Sequence, residues 1–159
     1  METKYISCTE TAKLIRKDLK NAFPNTKFSI NSMSYSGGAS VSIDWIDGAG
    51  VDEVEKIINK YKGASFDGMQ DLKSYNYVEE NGVKIQYGSD YIHLNRTFSE
   101  ESNKRMSEYL VNAYEIQDFN GDLGSNLNVM NELVNMAQLI WRQFRDKNIN
   151  EINKILEAN

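Results

Sequence analysis

One cysteine and one histidine bound the nucleophilic chemistry open to this 159-residue chain. A catalytic thiol needs a base to take its proton, and Cys8 and His93 are the only such pair. They fall at unrelated points of the sequence pattern, so Cys8 reads as a small core residue. His93, between Ile92 and Leu94, reads as an outward-pointing residue of a strand. One histidine without neighbouring cysteines cannot assemble a zinc site. A lone cysteine also rules out an intrachain disulfide, which points to a reducing compartment.

Carboxylates come next. Asp67 and Asp71 share the short segment Phe66–Asp71, and two carboxylates can hold a cation or do acid–base work. No calcium-loop spacing follows them, so Asp67-Gly68 reads as a turn with Phe66, Met69 and Leu72 packed inward. Asp118, Asn120 and Asp122 fill positions 1, 3 and 5 of a calcium loop. Position 12 is Val129 where a bidentate Glu is required, and Gly121 falls at position 4 instead of 6. That stretch reads as a helix–helix connection. The glycine-rich Ser34–Ser40 lacks the Lys-Ser/Thr and following helix of a phosphate loop, and becomes a hairpin tip. Nucleophile elbow, zinc-protease and dinucleotide motifs are absent. The expectation is a protein that is not an enzyme and takes no cofactor, metal or small molecule. The competing enzymatic reading would have to use Asp67, Asp71 or His93.

The elements that would position these residues follow from periodicity. Ala12, Ile15, Leu19 and Ala22 recur at helical spacing within Thr9–Ala22, with Thr9 as N-cap and Pro24 as the stop. Phe28 and Ile30, then Val41, Ile43 and Trp45, alternate with polar residues on either side of Gly37-Gly38 and form a hairpin. Val51, Val54, Ile57, Ile58 and Tyr61 make the stripe of a second helix. Strands are expected over Ser74–Val78, Val83–Tyr87 and Tyr91–Arg96, turning at Asn81-Gly82 and Gly88-Ser89. Ser99 caps a third helix with the stripe Met106, Leu110, Ala113, Tyr114 and Gln117. A last helical stretch from Leu127 carries Leu127, Met130, Val134, Ala137, Trp141 and Phe144, breaks near Asn148, and resumes with Ile149, Ile152 and Leu156. The expected fold is α+β, an antiparallel sheet with helices packed on one face, in the order α-ββ-α-βββ-α-α. Residues 1–159 form a single domain in this reading, with an α/β part over 9–98 and a helical part over 99–159.

Net charge is −5, unevenly spread. Residues 1–43 carry six Lys/Arg against three acids, whereas residues 44–101 carry twelve acids against six bases. A protein living by phosphate contacts usually has a basic excess. An acidic middle third suits a basic protein partner. Within it, Tyr75, Tyr77, Tyr87 and Tyr91 accompany Glu79, Glu80 and Asp90, and tyrosines beside carboxylates make a good protein-binding face. With Asp67 and Asp71, these nine residues are the candidate partner site. A basic first helix bearing Lys13, Arg16, Lys17 and Lys20 keeps a nucleic-acid-binding module as the alternative. No window reaches the length of an apolar membrane span, and the start is too polar for a signal core. The expected location is the cytoplasm of the cell that makes the chain, without membrane contact.

Several blocks, in order, carry a family likeness: Thr11–Arg16, Phe23–Ser29, Ser34–Gly38, Trp45–Gly48, Val51 with Glu53–Glu55, and Phe66–Met69 with Asp71-Leu72. Over about residues 9–98 the chain resembles the large polyvalent protein-associated domains of phages and conjugative elements. That resemblance implies a mobile-element setting and supplies no catalytic residues. In overall length and helical tail the chain is also similar to phage-encoded anti-CRISPR inhibitors of type II-A Cas9. That likeness implies stoichiometric binding to guide-loaded Cas9, on the HNH nuclease lobe whose docking licenses cleavage, without direct nucleic-acid binding.

Overall fold

In the computed structural model, the described residues are 3–67, 69, 72–113 and 127–158, with backbone alone described for 66, 67 and 127–135. The chain runs β1 (Thr3–Ile6), α1 (Cys8–Ala22), β2 (Phe28–Tyr35), β3 (Gly38–Ile46) and α2 (Val51–Ile58), extended by a 3-10 turn over Asn59–Tyr61. It continues with β4 (Ala64–Asp67), β5 (Leu72–Tyr75), β6 (Val78–Glu80), β7 (Val83–Tyr87), β8 (Tyr91–Thr97), α3 (Glu100–Ala113), α4 (Leu127–Phe144) and α5 (Ile149–Glu157). The α+β class and the element order agree in outline with the periodicity. The pairing is richer than one antiparallel sheet. Three small sheets form, ordered β1-β7-β6, β2-β3-β8 and β4-β5. β1 runs parallel to β7, and β3 parallel to β8. Alternation fixes which side of a strand is buried but not its neighbour or direction.

α1 starts at Cys8, with Ser7 as its N-cap in place of Thr9. Ser7 Oγ accepts from the Glu10 amide at 3.3 Å, and the Glu10 carboxylate accepts from the Ser7 amide at 3.2 Å. This reciprocal capping box satisfies two otherwise orphaned donors. Cys8, Thr11, Ala12, Ile15 and Leu19 are buried, while Ala22 at the helix end is exposed. The β2–β3 hairpin pairs Phe28 with Trp45 and Ile30 with Ile43, and Val41, Ile43 and Trp45 face α1 and α2 in the first core. Gly37 turns the chain at φ +91°, a backbone state only glycine adopts freely. Asn81 and Gly82 both take positive φ (52° and 77°) between β6 and β7, as a tight hairpin turn demands.

The strand expected over Ser74–Val78 divides at Asn76, whose amide donates to the Lys62 carbonyl at 3.1 Å and to Ser65 Oγ at 2.9 Å. The segment before it, read as a loop, supplies β4 instead. Met69 and Leu72, expected inward, are exposed at the end of the two-stranded β4–β5 ribbon.

A second core lies among the last three helices: Met106, Leu110, Met136, Ile140, Phe144 and Ile152. α4 presents Met136, Ile140 and Phe144 inward: Phe144 is buried as the stripe requires, while Met136 and Ile140 take the places expected of Ala137 and Trp141. Ala137 and Trp141 are accordingly exposed, as is Ala113 on α3. Tyr114, Gln117 and the Asp118–Asn126 stretch lie outside the described residues.

Arg96 joins the two cores. It is 3 % exposed, and its Nε donates to the Asp47 carbonyl at 2.9 Å. Its Nη1 donates to the carbonyls of Phe144, Arg145 and Lys147 at 3.0, 2.7 and 2.7 Å. The guanidinium thus satisfies carbonyls left over at the C-terminal end of α4, where the helix dipole also favours positive charge. Burial lowers its pKa to about 10, opposed by the field of Asp47, Glu53 and Asp146, so it remains charged at neutral pH. Around it, the Val51 amide donates to the Arg145 carbonyl, and the Ile149 amide to the Gly48 carbonyl. Asn148, the expected helix break, caps α5 and donates from Nδ2 to Glu53 at 3.2 Å. A side chain at Gly50 would run into the Asp146 carbonyl.

Candidate protein-interaction site

The acidic, tyrosine-rich region of the sequence is assembled from four elements. Tyr5 of β1, the tip Gly37–Ala39, Lys73 and Tyr75 of β5, and the Tyr87–Asp90 turn line an open groove of about 540 Å³. Each element is placed there by a physical cause. The Gly88 amide donates to the Ile6 carbonyl at 2.7 Å and ties β1 to the turn. The Asp90 amide donates to the Ala39 carbonyl, and the Ala39 amide to Asp90 Oδ2 at 3.0 Å, so the hairpin tip is pinned by a two-way bridge. Gly38 and Gly88 permit the closeness: a Cβ at Gly38 would meet Asp90 Oδ2, and one at Gly88 would meet the Tyr5 hydroxyl. Ser89 is fully buried and its hydroxyl donates to the Tyr61 carbonyl.

Charge within the groove is compensated. Lys73 Nζ lies 2.9 Å from Asp90 Oδ2 and 5.2 Å from the centre of the Tyr75 ring. The hydrogen bond to Asp90 holds the Lys73 ammonium pKa up against the smaller effect of desolvation. Beneath, Tyr61 and Tyr87 meet edge to face at 4.9 Å, and the Tyr61 hydroxyl donates to Asp18 at 2.7 Å. Lys60 pairs with the same carboxylate at 2.8 Å. Burial would raise the Asp18 pKa, but the hydrogen bonds from Lys60 and Tyr61 prevail and hold it low. Burial and Asp18 together push the Tyr61 phenol far up, so it serves as a fixed donor.

Tyr75 and Asp90 therefore share the groove, and Tyr91 follows on the open face of β8, 43 % exposed and stacked on His93 at 6.4 Å. Tyr77 is exposed just before β6, whose Glu79 and Glu80 are also exposed. Glu80 lies near enough to Lys60, Tyr61 and Tyr87 to act on all three electrostatically. Tyr87 is the correction. It is 5 % exposed, its ring taken up by the first core against Tyr61, so it supports the groove floor and is no contact surface. Asp67 closes the β4–β5 pairing opposite Leu72, with its side chain undescribed, and Asp71 lies outside the described residues.

Sequence reasoning missed three contributors. Tyr5 is 62 % exposed on a four-residue strand too short to show a period. Tyr35, 47 % exposed, was hidden in the hairpin tip, although Gly37-Gly38 marked it. Lys73 pairs with a carboxylate seventeen positions away, and nothing in the spacing announces that. Cys8 is buried, its thiol raised by desolvation and directed at the Ser40 carbonyl, while His93 is exposed, so the two do not face a common site. Among the described residues, no three His, Cys, Asp or Glu gather as a metal-ligating group. No helix among them is long and apolar enough to cross a membrane.

A profile of the family described as large polyvalent protein associated domain 29 matches residues 6–99, from the end of β1 past the end of β8. The chain belongs to this family. The matched span contains α1, both cores' connecting residue Arg96 and every element of the groove except the start of β1. In this polyvalent-protein domain, associated with phages and mobile elements, the helices α3–α5 follow as an addition to the matched region. No curated protein and no solved structure matches the chain.

Proposed function

We propose that this polyvalent-protein-associated chain acts by stoichiometric binding, as an anti-CRISPR protein that occupies guide-loaded type II-A Cas9 on its HNH lobe and blocks DNA cleavage. The observation that carries the binding reading is the groove. Tyr5 and Tyr75 are exposed along its walls, Tyr35 is exposed at the adjoining hairpin tip and Tyr91 next to Asp90, and the Lys73 and Asp90 charges within it are already paired. Tyrosine supplies large amphipathic contact area at low entropic cost, and such residues cluster at the centres of protein interfaces. The excess of carboxylates over residues 44–101 favours a target rich in Lys and Arg, which a nucleic-acid-handling nuclease provides. The mobile-element setting of the family and the similarity in length and helical tail to known inhibitors supply the choice of Cas9.

This reading entails no turnover and no cofactor. Mixing the chain with Cas9–guide complex should give a discrete complex by size-exclusion chromatography, with cleavage of target DNA falling to zero near molar equivalence. Full cleavage at tenfold excess of the chain, with no co-elution, would reject the Cas9 target.

A further inference from the structure

Among the described residues β2 is the edge of its sheet. Its eight residues, Phe28–Tyr35, include no charged side chain and no proline. Pairing of Tyr35 with Gly38 across a two-residue turn makes Tyr35, Met33, Asn31 and Ser29 the residues that exchange hydrogen bonds with β3. Phe28, Ile30, Ser32 and Ser34 must then direct their amides and carbonyls away from the sheet. One such carbonyl shows this directly: Ile30 O accepts from Arg16 Nη2 at 2.7 Å. Asn31 to Tyr35 are all exposed, so the groups of Ser32 and Ser34 face solvent.

The surroundings select the occupant. Lys13, Arg16 and Lys20 are exposed on the side of α1 that carries Arg16 to this edge. Arg16, Lys20 and Lys27 line a groove of about 340 Å³ beside Phe28, with no carboxylate in its wall. We infer that the β2 edge takes an extended acidic peptide segment of a partner protein as a further strand, its carboxylates set against Arg16, Lys20 and Lys27. A second copy of the chain fits poorly, since pairing edge to edge about an axis through the sheet would set the two basic helices side by side. Nucleic acid would use the cations but leave the strand's amides and carbonyls unread, whereas strand addition uses both. This surface adjoins the tyrosine-lined groove proposed for Cas9 at Ser34 and Tyr35, while Arg16, Lys20, Lys27 and Ser32 lie outside that groove.

The test uses the full chain and a ten-residue peptide alternating Glu and Val. Fluorescence anisotropy should show it binding at least tenfold more tightly than the Lys/Val counterpart. N-methylation of alternate peptide amides should abolish binding in one phase of the alternation and spare it in the other, the signature of a strand pairing on one side. Ser32→Pro removes an outward amide that β3 does not use, and should weaken binding at least tenfold with the melting temperature kept. Lys20→Glu with Lys27→Glu should do the same without touching the strand. Equal binding of both peptides, indifference to N-methylation, tighter binding of oligo-deoxythymidine than of the acidic peptide, or a dimer dispersed by Ser32→Pro would each overturn the inference.

Discussion

Arg96 and Lys73 are both cations on the strand-bearing half of the molecule, and they are used in opposite ways. Arg96 is buried and donates to backbone carbonyls from two distant parts of the chain, without a carboxylate in direct contact. Lys73 stays partly exposed, pairs with Asp90 and lies over an exposed tyrosine. A buried charge that loses its partners, or buried carbonyls that lose their donor, cost the full desolvation of the groups left behind. A pair that keeps one partner in contact with water, as Lys73 does, costs less to form and less to lose. The junction between the cores is therefore where the fold is vulnerable, and the groove is where side chains can change with the fold intact.

Breaking the junction should give the largest effect. Arg96→Met leaves the carbonyls of Asp47 and Lys147 without their Arg96 donor and takes one of two donors from those of Phe144 and Arg145, and urea denaturation should show a loss of about 3–5 kcal/mol. Arg96→Lys keeps the charge but not the fork of donors, and should recover only part of that. Next, Gly50→Ala forces a methyl group into the Asp146 carbonyl, and should cost about 2–4 kcal/mol by the same measurement.

Asp18 sharpens the contrast from the middle of the scale. Its folded-state pKa lies below the ordinary 3.8, so its stabilising contribution is complete above about pH 4 and disappears as pH falls through the lowered value. Asp18→Asn should lower stability by about 1 kcal/mol at pH 6, and the difference from wild type should shrink as pH falls below the ordinary carboxylate range. Last, Lys73→Ala should cost about 0.5–1 kcal/mol, since it takes the ion pair from a mostly buried Asp90, and Tyr75→Ala less than about 0.5 kcal/mol, since its side chain is exposed.

The same contrast explains what was legible in the sequence. The first core was, because Ile15 and Leu19, Val41 to Trp45, and Val51 to Tyr61 each repeat at the period of their own element. The ends of α5 and α3 were, because Asn148 and Ser99 are residues whose side chains cap helices. The capping box of Ser7 and Glu10 was present in the spacing and overlooked in favour of Thr9. Trp141 was placed in the core because a stripe through Ala137 and Trp141 is nearly as apolar as the one through Met136 and Ile140, and only the facing helices decide between them. The candidate site was half legible: tyrosines and carboxylates in one stretch of sequence marked Tyr75 and Asp90, which the fold brings into one groove. Which of them are exposed depends on non-local pairing, as Tyr87 buried against Tyr61 and Lys73 bonded to Asp90 demonstrate. Parallel pairing of β1 with β7 brings Tyr5 to the groove across some eighty residues, and no local pattern encodes that.

The central claim is that exposed tyrosines around the Lys73–Asp90 groove hold a protein target stoichiometrically. The most direct measurement is calorimetric titration of guide-loaded type II-A Cas9 with the wild-type chain and with a Tyr75→Ala, Tyr91→Ala double variant. The account predicts one-to-one binding by the wild type, weakened at least tenfold in the double variant at unchanged melting temperature, with inhibition of cleavage lost in parallel. Binding and inhibition by the folded double variant equal to wild type would contradict it.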